Sequence, residues 1–159
     1  MNPRLASVNE KKFAGKRLTM SFAEDRTREL WQTFMPRRPE IGNAVGTELY
    51  SIEAYPPEFF EAFEPEAQFE KWAAVEVDEF SNLPDGLETL TIPPGLYAVF
   101  LHRGPASEAI ITYTYIFQTW LLASEYQLDN RPHFAVMGEK YRNEDPDSEE
   151  EIWIPVLQK

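Results

Sequence analysis

Cysteine is absent from the 159-residue chain, which excludes disulfides, thiolate nucleophiles and thiolate-held zinc. Histidine is nearly absent: His102 and His133 are the only two, far apart and without metal-ligand spacing, so no metal and no cofactor are expected. A glycine-rich phosphate loop and a serine-nucleophile motif are missing too. No apolar run approaches the ~20 residues that a membrane helix needs, and the first residues lack the apolar stretch of a signal peptide. A cytoplasmic protein with no membrane partner is therefore expected. Bases are scarce: 15 against 27 acids give a net charge of −12. That charge repels phosphate backbones, so no direct nucleic-acid partner is expected, and it steers cationic ligands inward.

Aromatic residues, at 14% of the chain, are plentiful and supply both core and stacking surfaces. The sequence also repeats itself. Trp31-Gln-Thr-Phe-Met-Pro36 returns as Phe117-Gln-Thr-Trp-Leu-Leu122, and the same offset lays Glu53-Ala-Tyr55 on Glu139-Lys-Tyr141. Each half reads as an apolar strand, an amphipathic helix and two more strands, repeat 1 over about 11–80 and repeat 2 over about 87–157, within one domain spanning 1–159. The fold class expected is α+β: duplicated β-α-β-β units related by a pseudo-twofold, forming an antiparallel sheet with two helices on one face. A ligand cleft is expected between the repeats.

Residues 1–10 read as a loose polar start and 11–22 as the first strand. Ser21-Phe-Ala-Glu24 has capping-box spacing, which predicts a helix from Ser21, with Ala23, Thr27, Leu30, Trp31, Phe34 and Met35 on one face and a stop at Pro36. Strands follow at 47–55 and 71–80, separated by an acidic-aromatic loop, 57–70, that reads equally as a lid or as rim packing. Asn82-Leu-Pro-Asp-Gly86 marks the join between halves. The second copy reads as strand Leu96–Arg103, a helix over 106–124 with Ile110, Tyr113, Thr114, Phe117, Trp120 and Leu121 on one face, and strands 132–141 and 150–157. Asp129-Asn-Arg-Pro-His133 reads as a turn scaffold in which Arg131 and His133 bond backbone carbonyls.

Strand alternation sorts side chains by face. Trp72, Ala74, Glu76 and Asp78 oppose Ala73, Val75 and Val77; Glu151, Trp153 and Pro155 oppose Ile152, Ile154 and Val156. Trp72 and Trp153 then hold equivalent places on the face away from the helices. With Glu76 beside them they suit a planar, apolar, cationic guest. Tyr55, Tyr97, Ala135, Met137 and Tyr141 complete the candidate ligand walls. For catalysis the available players are Glu76, Glu139 and Tyr141, a carboxylate acting on water with a tyrosine assisting.

Leu30-Trp-Gln-Thr-Phe-Met-Pro-Arg37, Phe69-Glu-Lys-Trp-Ala-Ala-Val-Glu-Val77, Pro94-Gly-Leu-Tyr-Ala-Val-Phe100, Thr119-Trp120, Leu128-Asp-Asn-Arg-Pro-His-Phe134 and Glu150-Glu-Ile-Trp-Ile-Pro155 span nearly the whole chain. In that order they resemble the GyrI-like small-molecule-binding domain, also found as the effector-binding domain of bacterial transcription activators of the AraC and MerR types. The resemblance implies a cleft on the pseudo-twofold that binds hydrophobic, often cationic compounds. It also implies two alternatives: a hydrolase of reactive cyclopropane-containing compounds, and an acidic protein-interaction module such as a gyrase inhibitor. The family usually places an acidic residue after the phenylalanine that is Phe134 here. This chain has Ala135, which removes that carboxylate or enlarges the cleft for a bulkier neutral guest.

Overall fold

The computed structural model describes residues 2–159. Strands β1 (Arg4–Val8) and β2 (Lys11–Met20) lead into helix α1 (Thr27–Phe34), followed by β3 (Leu49–Ala54) and β4 (Phe69–Val77). The second half runs β5 (Glu88–Ile92), β6 (Gly95–Arg103), helix α2 (Ala109–Tyr115), β7 (Tyr126–Leu128), β8 (His133–Met137) and β9 (Glu149–Gln158). All neighbouring strands are antiparallel, in the order β1-β6-β9-β8-β3-β4-β2-β5, with β7 on β9. The fold is thus the expected α+β arrangement, a strand-helix-strand-strand order met twice, with β3 and β8 joined at the centre.

The polar start is not loose. β1 pairs with β6, and β5 pairs with β2, although β1 adjoins β2 in sequence and β5 adjoins β6. The connections are only Asn9-Glu10 and Pro93-Pro94, so the two ends of the sheet must approach each other, and the sheet curls away from the helices. Inside that curl lies one apolar cluster, built on Phe13, Ile52, Trp72, Tyr97 and Phe134. On the outer face a second cluster packs α1 (Leu30, Phe34) against Ala14, Val75 and Val77, and a third packs α2 against Phe100, Ile152 and Ile154.

Helix α1 begins later than Ser21. Ser21 Oγ does accept the Glu24 N–H at 3.0 Å, but closes a turn; Asp25 Oδ1 receives the Thr27 N–H at 2.9 Å where the helix starts. The α-helix ends at Phe34, and Pro36 sits in the 3₁₀ segment Met35–Glu40, where its missing N–H costs nothing. Helix α2 continues through a π-helical stretch, Ile116–Trp120, into Leu121–Ala123. The buried face of α2 runs through Thr112 and Ile116, one helical turn apart, leaving Ile110 at 67% exposure and Thr114 exposed instead of inside. Among the described residues no helix is long and apolar enough to cross a membrane.

Candidate ligand-binding site

The face assignments of β4 and β9 place Trp72, Glu76, Tyr97 and Trp153 together on the concave side of the sheet. The protein's own rings fill that side. Trp72 is 3% exposed and Tyr97 fully buried; Trp153 stacks on Phe134 at 5.1 Å and 17°. Glu76 is already engaged, receiving Lys11 Nζ at 3.5 Å and the Tyr50 hydroxyl at 3.4 Å. Arg131 closes one end, donating to the Leu96 and Val156 carbonyls and lying over the Tyr97 ring at 4.7 Å. The guanidinium lies directly against Gly95, where a Cβ would push it aside.

Other sequence candidates fall elsewhere. Ala135 and Met137 pair with Ser51 and Leu49 across the central ladder and share the opposite, helix-side face with them. Tyr55 packs into the α1 cluster on that same side. Strand β8 ends at Met137, so Glu139 lies exposed in a turn and Tyr141 beyond it, its hydroxyl 3.4 Å from Asn143. The expected trio Glu76, Glu139 and Tyr141 therefore does not converge: Gly138 and the turn carry the last two off the sheet. His133 also departs from expectation. It meets Tyr55 edge-on at 4.9 Å and stacks against Phe60 and Phe117 at 5.7 and 6.1 Å, and burial takes its pKa down to about 3, so the ring is neutral.

Between the two helices, on the outer face, a polar cluster is buried among aromatic rings. Glu53 comes from β3, Lys71 from β4, Glu150 from β9 and Tyr113 from α2. The Glu53 side chain is 12% exposed, and its ion pair with Lys71, at 3.9 Å, is the longest among the described residues. Lys71 is shared: its Nζ donates to Thr27 Oγ1 at 3.0 Å, at the start of α1. Burial pushes the Glu53 carboxyl up to about 7, with the charge of Glu150 adding to the rise and that of Lys71 opposing it. Burial also raises Glu150, and it keeps the phenols of Tyr55 and Tyr113 protonated well above their usual range. Two carboxylates against one lysine leave the groove one negative charge in excess when both ionise. None of the charged residues was a site candidate from the sequence, where Glu53 stood out only in the repeated triplet Glu53-Ala-Tyr55.

Beside this cluster a cavity of about 140 Å³ opens between the 55–61 segment and the 128–133 turn, lined by Tyr55, Phe59, Phe60, Arg131 and His133, with Glu58, Glu61 and Asp129 at its rim. A larger groove of about 390 Å³ lies along α1 and the Gly86 turn. Its polar groups are spent: Lys16 donates to the Gly86 carbonyl, and Arg17 holds Glu70 and Glu88 at 3.0 Å each. The helix-side groove is the better site because its charges are incompletely matched inside apolar walls.

Comparison with known proteins gives consistent results. A family model described as GyrI-like small molecule binding domain matches residues 1–157. The transcriptional regulator BrlR of Pseudomonas aeruginosa is 28% identical over 130 residues, covering 80% of this chain and 45% of BrlR, so the chain spans under half of that relative. Among solved structures, SAV2435 bound to tetraphenylphosphonium superposes with a TM-score of 0.76 at 14% identity, over 99% of this chain and 94% of that one. The EcmrR–DNA complex gives a TM-score of 0.72 at 15% identity, covering 99% of this chain and 57% of EcmrR. These two likenesses establish the fold.

Proposed function

The chain belongs to the GyrI-like small-molecule-binding domain family, and from that membership we infer that it captures aromatic organic cations in the groove between its two helices. The observation that carries this reading is the buried Glu53, short of countercharge and flanked by the phenols of Tyr55 and Tyr113. A carboxylate in such a place costs free energy until a cation joins it. An ammonium or phosphonium guest relieves that cost, and aromatic walls add about 0.5–2 kcal/mol of cation–π attraction. SAV2435, of the same fold, is found with tetraphenylphosphonium, which fits a guest of this class. Ala135, buried opposite Ser51 at the centre of the ladder, adds no charge to the groove, so recognition falls to Glu53 with Glu150.

The test is calorimetric titration with tetraphenylphosphonium beside a neutral triaryl analogue. Saturable binding of the cation, with the neutral compound at least ten-fold weaker, supports the reading; equal binding of both removes Glu53 as the recognition element. The family's appearance in transcription regulators makes a regulatory role through a larger assembly the natural context for such capture.

A second reading draws on the same carboxylate. A glutamate with a pKa near 7 beside protonated phenols is suited to act as a general base at neutral pH, with Tyr113 or Tyr55 as proton donor to a leaving atom. It predicts turnover of a bound electrophile that disappears in Glu53→Gln.

A further inference from the structure

The open space beside the Glu53 cluster is too small for the guests that the groove suits. Ligand pockets for drug-sized compounds run to roughly 300–1,000 Å³, against the cavity of about 140 Å³ found here. What takes up the space is a side chain of the chain itself. Phe60, from the acidic-aromatic segment between β3 and β4, lies parallel to Phe117 of α2 at 5.1 Å and 18°, and parallel to His133 of β8 at 5.7 Å and 28°. Tyr55 closes the third side edge-on at 4.8 Å. These are the contacts that a planar aromatic guest would make. The neighbouring ring behaves differently: Phe59 is 7% exposed and belongs to the α1 cluster, whereas Phe60 stays half-buried beside it. The segment has no ladder to hold it; around Phe60 its backbone bonds are single turns, the Phe59 N–H to the Pro56 carbonyl and the Glu61 N–H to the Glu58 carbonyl, both 3.1 Å, and its far end is tied by the Ala23 N–H to the Pro65 carbonyl at 2.8 Å. Phe59 therefore anchors the segment, and Phe60 leaves its slot at the cost of its ring contacts with Tyr55, Phe59, Phe117 and His133 and of its packing at the edge of the α1 cluster.

We propose that Phe60 is a built-in occupant of the guest's aromatic subsite, which an entering ligand must displace, and that it sets specificity by admitting only guests carrying an aromatic ring able to replace it. This rests on the reading of the helix-side groove as a ligand site. A phenyl arm of tetraphenylphosphonium is chemically the ring of Phe60, so exchange of one for the other restores the same two stacks, while the phosphonium supplies the charge that Phe60 lacks. An aliphatic cation of similar size gains the charge but not the stacks. Because binding must draw on the fraction of molecules with the slot open, the apparent affinity is reduced by that fraction.

The experiment compares wild type with Phe60→Ala, using tetraphenylphosphonium and tetrabutylammonium as probes. The expected result is an affinity for tetraphenylphosphonium about ten-fold higher in Phe60→Ala, the gain when the open fraction rises from a tenth to near unity, with wild type preferring the aryl cation. As an independent readout, 4-fluorophenylalanine placed at position 60 of the otherwise unchanged chain should show a ¹⁹F resonance that becomes solvent-exposed on saturation with tetraphenylphosphonium. Unchanged or weaker binding by Phe60→Ala, or a ¹⁹F signal that stays shielded in the saturated protein, makes Phe60 a wall and overturns the proposal while leaving the site itself intact. If Phe60→Ala does not fold, the fluorine measurement decides alone. Absence of tetraphenylphosphonium binding by both proteins overturns the cation-capture reading and the displacement with it.

Discussion

The two faces of the sheet are alike in composition and opposite in state. Both gather tryptophan, tyrosine or phenylalanine around a glutamate and a lysine. On the concave face the charged groups are matched, though the buried Trp72 Nε1 lacks a partner: Glu76 has Lys11 and the Tyr50 hydroxyl, Trp153 Nε1 donates to Glu151 at 3.2 Å, and the rings interlock with no exposed surface left at Tyr97. On the helix face Glu53 has one distant, shared lysine, and a second carboxylate stands near enough to raise its pKa. Aromatic density is thus no mark of a site. The concave rings stabilise the fold by burial; the helix-side rings surround a charge whose burial is offset by nothing strong in the chain.

The sharpest separation of the two faces comes from Trp72→Ala. Deleting a large core ring costs about 3–5 kcal/mol, and here the loss is eased somewhat because the buried Trp72 Nε1 has no hydrogen-bond partner. Urea unfolding should show that loss, while the folded fraction binds tetraphenylphosphonium within two-fold of wild type. A selective loss of binding in a stable Trp72→Ala would return the site to the concave face. Next in size is the titration of Glu53. Its folded pKa, about 7, lies above the ordinary 4.5, so between those values the native state keeps a proton that the unfolded chain has released. Stability then falls as pH rises through that window, by about 3 kcal/mol in all, and levels off above it. Glu53→Gln should remove this slope, so that the variant is the more stable protein at pH 8 and loses that advantage near pH 4.5. Parallel unfolding curves of the two proteins across this range would show instead that the carboxyl is ordinarily solvated.

Binding gives the mirror image of that slope. Cation affinity should rise about ten-fold per pH unit below 7 and flatten above it, since the guest prefers the ionised carboxylate. In Glu53→Gln the dependence should vanish, together with about a hundred-fold of affinity at pH 8, equivalent to about 2.7 kcal/mol. Affinity that is unchanged by the substitution would leave Glu150 as the counter-ion and make Glu150→Gln the decisive variant.

Local pattern was enough for the strand-helix-strand-strand order and for the faces of β4 and β9, because alternation is a property of each strand alone. It was not enough to say which face of β3 is buried. Ser51, Glu53 and Tyr55 alternate with Tyr50, Ile52 and Ala54, and a polar set in such a strand reads as wet; only the central position of β3, paired with β4 on one side and β8 on the other beneath two helices, buries it. The same limit explains β1, whose polar segment becomes a strand by pairing with distant β6. The likeness of Glu139-Lys-Tyr141 to Glu53-Ala-Tyr55 misled for the converse reason: the first triplet follows Gly138 into a turn, so equal spacing carries no equal pairing. Phe60 was visible only as one ring of an aromatic loop, since its slot is assembled from α2 and β8, which lie more than fifty residues away in sequence.

The smallest expected effect is also the most discriminating between the faces. Glu76 stood beside Trp72 as the polar element of the concave face, and its ion pair with Lys11 is real but partly open, with side chains 22% and 26% exposed. Water screens such a pair, so Glu76→Gln should cost no more than about 1 kcal/mol. Gln keeps an oxygen for the Tyr50 hydroxyl, which limits the loss further. Tetraphenylphosphonium affinity and its rise with pH should be those of wild type, measured in the same titrations as for Glu53→Gln. A joint loss of affinity and pH dependence in Glu76→Gln would mean that the guest enters the curl of the sheet and that the concave rings part to receive it. An effect confined to stability would assign the two glutamates their separate parts, Glu76 to the fold and Glu53 to the guest.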